Sequence, residues 1–207
     1  MQYQYPPFEL GETLDGTDSD GNLINESVLG MIYEFPAQRL GVSGIGGKKG
    51  RKTGKSIKAV ALRNVSGIKL YGKRLAQTKS DSGGYELMEE VDGYEDEGDS
   101  TNVVIIDEFL DSTGVADDDI FWGILEGPVT VKTQDEGNAG NSISIGDGLA
   151  AGTATGTTLS TASDNDVGGV KAHSDPNPLE LIGVALSART TDETGEDLLI
   201  NASIRVL

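Results

Sequence analysis

The sequence contains no cysteine, which excludes disulfides, thiol nucleophiles and thiolate metal sites. It says nothing about compartment, because no thiol has to be kept reduced. There is one histidine, His173, and one tryptophan, Trp122. A single imidazole cannot build a multi-histidine zinc site, and His173 stands beside Ser174-Asp175-Pro176, which reads as a polar loop. Aromatic residues make up 5% of the chain and apolar residues 36%, so aliphatic and small side chains have to supply most of the core. No apolar run approaches the roughly 18 residues of a membrane-spanning helix. The N-terminal MQYQYPPFEL lacks the basic and apolar regions of a secretory signal. Neither a membrane span nor a standard signal peptide is expected.

What the sequence has instead is glycine and acid. Glycine accounts for 29 of 207 residues, about twice the usual share, which points to a turn-rich β protein. Lys plus Arg is 16 against 34 for Asp plus Glu, giving 16 − 34 = −18. A uniform polyanion repels nucleic acid and anionic lipid, so neither is an expected partner. The charge is not uniform, however. Residues 35–80 carry 12 basic and no acidic side chains, and residues 81–126 carry 16 acidic and no basic ones. Two readings follow. The blocks fold against each other and neutralise in part, or the basic stretch reaches another surface, either a neighbouring copy's acidic block or a larger negatively charged assembly.

The basic block is densest in GVSGIGGKKGRKTGKSIK, residues 41–58. Its many glycines raise the entropy lost on ordering, so this segment is expected to order against a partner. Lys48, Lys49, Arg51, Lys52, Lys55 and Lys58 are the candidate partner-binding residues. The same stretch approaches a phosphate-binding loop, since Gly54-Lys55-Ser56 supplies the ending of G-x-x-x-x-G-K-[ST]. The first glycine would have to be residue 49, which is Lys49, and no apolar strand precedes it. Nucleotide binding is not expected.

Residues 1–26 are polar and punctuated by Pro6, Pro7, Gly11, Gly16 and Gly21, the pattern of an extended arm. Asp18, Asp20 and Gly21 resemble an EF-hand loop, but Gly16 and Ser27 occupy the first and closing ligand positions, so the motif fails. Residues 28–35 read as a strand. Residues 57–63 and 67–75, separated by Asn64-Val65-Ser66-Gly67, have the spacing of a hairpin. Residues 85–91, 103–106, 121–125 and 129–131 are further strands, with an acidic loop at 107–119. In the C-terminal third, Ser142-Ile143-Ser144-Ile145 alternates before a turn at 146–148, residues 153–161 suit an exposed strand pair, and residues 181–188 lead into a turn. The last strand is the clearest: Leu198, Ile200, Ala202, Ile204 and Val206 take one face, and Leu199, Asn201, Ser203 and Arg205 take the other. That period of two belongs to a half-buried antiparallel strand. The fold class is mainly β, an antiparallel sandwich or barrel-like module with long Gly-rich and acidic loops. The expected organisation is an N-terminal arm plus basic loop over residues 1–56, followed by a β-rich module over 57–207.

A series of turn-and-strand phrases carries a resemblance. Asn64-Val65-Ser66-Gly67-Ile68 with Lys73-Arg74-Leu75 is followed by Val91-Asp92-Gly93-Tyr94 and Ile106-Asp107-Glu108-Phe109-Leu110. Then come residues 119–128 (DIFWGILEGP), 145–149 (IGDGL) and 182–188 (IGVALSA). In this order they resemble the capsid decoration, or cement, proteins of tailed bacteriophages, over roughly residues 59–207. The resemblance implies a β-rich virion protein on the outer capsid, assembled in the host cytoplasm. It would be oligomeric, a homotrimer, and reinforce joints between copies of the major capsid protein. The insertion at 41–56 lies outside the resemblance.

Other chemistries are weighed against this. The carboxylate runs at Glu95-Asp96-Glu97 and Asp117-Asp118-Asp119 are read as solvated loops rather than a catalytic pair, so the chain is not expected to be an enzyme and no cofactor is expected. Asp107, Glu108, Asp111 and Asp117 to Asp119 could supply hard oxygen ligands to calcium, but without regular spacing. Trp122 is expected in the core. The alternative is an exposed aromatic for sugar stacking, as in a carbohydrate- or surface-binding β module such as a head-fibre or adhesion component.

Overall fold

The computed structural model describes residues 6–36, 56–78, 89–92, 103–133, 142–151, 169–172, 181–189 and 197–204. Among the described residues, ten strands form one sheet system. They are β1 (Ile32–Phe35), β2 (Ile57–Asn64), β3 (Leu75–Thr78), β4 (Glu90–Asp92) and β5 (Val103–Ile106), then β6 (Ile120–Lys132), β7 (Gly148–Ala151), β8 (Val170–Ala172), β9 (Gly183–Ala185) and β10 (Asp197–Ser203). A 3-10 turn, Glu26–Val28, precedes β1. The mainly β expectation holds. All strand pairs are antiparallel except β2 with β4, which is parallel.

The pairings close a ring. β2 pairs with β4, β4 with β3, β3 with β5, β5 with β6, and β6 returns to β2. A second set runs from β6 through β10, β9 and β7 to β8. A parallel bridge from Val170 to Thr133 brings β8 back to the end of β6. The 13-residue β6 is thus the shared stave of two barrel-like halves. Glu126 marks the handover: it pairs with Lys58 of β2 on one edge and Ser203 of β10 on the other.

Both faces of β6 are covered, so Ile120, Phe121, Trp122, Ile124, Val129 and Val131 are all fully buried. The sequence suggests two strands, 121–125 and 129–131, because Glu126-Gly127-Pro128 looks like punctuation. The chain continues through it as one strand. Gly127 has φ +107, and a Cβ there would lie 2.4 Å from the Ser56 carbonyl oxygen. Glycine therefore permits a local irregularity, and the β2–β6 register shifts between Lys58 and Ala59.

The hairpin expected between residues 57–63 and 67–75 does not form. The Asn64 side-chain amide donates to the carbonyls of Ile68 at 2.7 Å and Ala116 at 3.0 Å. That fully buried residue ties the 64–68 turn to the loop before β6. Leu70 then bridges Val115, while β6, β1 and β4 take the edges of β2. β3 consequently pairs with β4 and β5 instead.

The last strand follows the sequence pattern: Leu198, Ile200, Ala202 and Ile204 are buried, and Ser203 is exposed. At 142–145 the alternation gives way, with Ile143 buried and Ile145 70% exposed at the turn. Residues 6–36 are irregular up to β1 but packed. Phe8 and Phe35 belong to the same hydrophobic cluster as Leu62, Trp122 and Ile200.

Candidate partner-binding surface

β1 and β2 are the two arms of a hairpin whose register runs from Ile32↔Val60 to Phe35↔Ile57. In sequence the basic segment lies between β1 and β2, so its two ends are set by a strand pair. Lys48, Lys49, Arg51, Lys52 and Lys55 lie outside the described residues. Lys58 is the second residue of β2. Its ammonium stands 3.3 Å from Glu126 Oε1, and the two side chains are 41% and 56% exposed. Lys58 is therefore engaged with the acidic block of its own chain, an ion pair in high dielectric worth about 0–1 kcal/mol.

Beside this root lies an open groove of about 440 Å³ lined by Glu34, Ser56, Lys58, Glu126, Asn201 and Ser203 among others. The Ser56 hydroxyl donates to Glu34, and Glu126 faces Lys58. The groove therefore carries two carboxylates, one ammonium and neutral polar groups, without an aromatic platform. Glu34, Asn201 and Ser203 were not evident as neighbours of Lys58 in the sequence. The outward alternation of Asn201 and Ser203 on β10 was the one available signal.

The acidic loop lies elsewhere. Arg63, near the far end of β2, pairs with Ile120, the residue at which loop 107–119 re-enters the sheet. The separation from Ile57 to Asn64 is about 23 Å along an extended strand. The basic root and the acidic loop thus occupy opposite ends of β2. The described residues nonetheless join the two blocks: β2 pairs with β4 and β6, β3 with β4 and β5, the Gly67 amide donates to Asp117, and ion pairs link Lys58 with Glu126 and Arg63 with Glu90.

A second acidic stretch joins the loop. Every charged residue before Arg39 is acidic. Leu14 exchanges backbone hydrogen bonds with Ile120, at 2.9 and 2.8 Å, and this brings Asp15 towards the 117–119 triplet. Burial pushes the Asp119 carboxyl above its ordinary value, and the charges of Asp15 and Asp118 push the same way against the Ala116 amide and Lys69.

The acids named as possible calcium ligands do not converge. Asp107 is fully buried; its Oδ1 accepts from the Phe109 amide at 2.9 Å and its Oδ2 from the Gly11 amide. Asp111 accepts from the Thr113 amide at 2.8 Å, and Asp117 from the Gly67 amide at 2.9 Å. These carboxylates hold turns. Among the described residues no group of three or more His, Cys, Asp or Glu side chains is placed to hold a metal.

Trp122 is fully buried, as core packing requires, and cannot serve as a sugar-stacking platform. Its ring stacks on Phe8 with centroids 4.6 Å apart, and its Nε1–H donates to the Phe8 carbonyl at 3.1 Å. His173, Tyr85 and Tyr94 lie outside the described residues.

No protein-family model matches the chain, and no curated protein matches it. Among solved structures the chain is similar to the head fibre gp8.5 N base of bacteriophage phi29. The two share 15% identity and a TM-score of 0.40, over 73% of this chain and 98% of that one.

Proposed function

We propose that this chain is a non-enzymatic virion protein of a tailed phage that binds the outer capsid surface and cements contacts between major capsid subunits, acting as a homotrimer. One observation carries the reading: the cationic segment is rooted on the β1–β2 hairpin, at the end of β2 opposite the acidic loop. A basic segment whose two ends are set there, about 23 Å along β2 from the 107–119 loop, is in this reading offered to an external negative surface. The resemblance of the 59–207 phrases to decoration proteins supplies the identity of that surface.

Cementing in this picture is additive burial guided by charge. A stable contact removes about 1,600 Å² of surface from water in total. When one module spans two capsid subunits, separating them also has to break its interfaces. The basic segment steers the approach, and exposed charges are screened beyond about 8 Å near physiological ionic strength.

The test is a binding assay of the full-length chain on capsid shells lacking it, over a range of salt concentrations. Replacing Lys48, Lys49, Arg51, Lys52 and Lys55 together by Ser is expected to lower occupancy, most clearly at low salt, with an unchanged far-ultraviolet circular dichroism spectrum. Occupancy that matches the unmodified chain at every salt concentration overturns the role of the segment.

A further inference from the structure

Trp122 lies on one face of β6, with Ala61 directly across on β2 and Phe35 in edge contact, centroids 5.2 Å apart. Tyr33 borders the same cluster at 6.5 Å from Trp122. Phe8 stacks on the Trp122 ring with centroids 4.6 Å apart and is 5% exposed. Two further fastenings follow along the chain: the Gly11 amide donates to Asp107, and Leu14 pairs with Ile120.

None of the strand pairings that close the β2-β4-β3-β5-β6 ring uses residues 6–14. The seat is also built without them. Asp107 is held by the Phe109 amide of its own loop, and Trp122 is fixed in the β2–β6 ladder. We propose that this face is a binding seat for a turned aromatic peptide segment, and that residues 6–14, which turn at Glu9–Glu12, occupy it as the chain's own strap. The seat recognises an aromatic ring by stacking on Trp122. It takes the carbonyl of that same residue through the indole N–H, and a backbone amide three residues further on through the Asp107 carboxylate. Release of the strap breaks these fastenings and leaves the ring closed, so it is a local opening below global unfolding. This inference is independent of the capsid reading.

Native-state hydrogen exchange on the full-length chain is the first test. The Trp122 indole N–H and the Ile120 amide are expected to exchange at least about tenfold faster than the β2 amides paired to β6, with a weaker denaturant dependence. Equal rates for the two groups would mean that strap and ring open only together, and would overturn the proposal. The second test adds a peptide of residues 1–16 to full-length Phe8→Ala. The variant should show red-shifted Trp122 emission, and the peptide should reverse the shift saturably, while a peptide carrying the same Phe8→Ala change should not. A folded variant with exposed Trp122 that ignores the peptide refutes the seat. Should Phe8→Ala not fold, the exchange measurement on the unmodified chain decides alone.

Discussion

Gly123→Ala probes the ring where it is tightest. Gly123 pairs with Val60 of β2 on one side and Ile106 of β5 on the other. A methyl group at this position would lie 2.7 Å from Leu62 Cδ1 and 3.1 Å from both Cβ and Cγ2 of Val104, where carbon atoms prefer about 3.5–4.0 Å. Leu62 and Val104 are themselves fully buried. Leu62 Cδ1 ends a rotatable side chain but has no open space to turn into. Val104 Cβ is fixed to the β5 backbone. Overpacking of this kind costs about 1–3 kcal/mol, and each kcal/mol lowers Tm by about 2–4 °C in a chain of this size. The expected fall is roughly 2–12 °C, read by thermal melts followed by circular dichroism and checked by urea titration with an unchanged m-value. Val104→Ala removes one of the close contacts and makes room beside the others. The double variant should therefore be less destabilised than the sum of the singles, by about 0.5 kcal/mol or more. A Gly123→Ala protein that melts within about 1 °C of the parent, or strictly additive effects in the cycle, would refute the close approach of β2, β6 and β5.

Three other changes test separate parts of the molecule. Asn64→Ala removes the donor for the Ile68 and Ala116 carbonyls and the acceptor for the Ser66 amide; a loss of about 2–4 kcal/mol in urea unfolding is expected, since buried partners are left unpaired. Asp197 accepts from Lys73 at 2.6 Å and Lys132 at 2.9 Å; burial acts to raise its pKa, but these two bonds outweigh it and the carboxyl is held below its ordinary value. Its contribution is present above the unfolded-state carboxylate pKa and is lost as pH falls through the depressed folded value. Asp197→Asn should cost up to about 1 kcal/mol at pH 7 and nothing once both proteins are fully protonated, which urea titrations across the acid range will show. Asp119 has the opposite sign, because burial and neighbouring acids raise its pKa. Its ionisation weakens the fold as pH rises through the raised value, so Asp119→Asn should increase Tm at pH 7, with the gain vanishing in acid. A decrease at pH 7 would contradict the crowding of Asp15, Asp118 and Asp119.

What the sequence revealed follows from range. The alternation at 198–204 and the apolar run at 103–106 are local signals, and both fall on strands with the expected burial. Contacts set by distant residues were hidden. Nothing near Trp122 announces that Phe8, 114 positions away, supplies its stacking partner. Asn64 looked like a hairpin residue because its turn chemistry is local, whereas its amide serves a carbonyl near residue 116. Glu126-Gly127-Pro128 reads as a turn, yet the chain continues through it as one strand because β2 and β10 pair with it there, and Ser56 approaches too closely for any side chain at 127. For the surface, composition identified the basic segment, and the Phe35↔Ile57 pair located its root. Composition could not reveal that Asp15 is gathered beside Asp118 and Asp119 at the far end.

That gathering has an energetic consequence. Burying Asp119 beside Asp15 and Asp118 opposes folding, although Lys58 with Glu126 and Arg63 with Glu90 demonstrate that this chain can pair its blocks. Charge sorted into blocks along the chain is also something that an oriented partner can read. Salt therefore acts on the two quantities in opposite directions. Screening relieves repulsion among the crowded acids and should raise Tm, while it weakens any attachment steered by the basic segment. A chain whose function depended on its stability alone would gain by mixing the blocks. One that loses attachment at the ionic strength where its own fold is strengthened is using its charges on a neighbour.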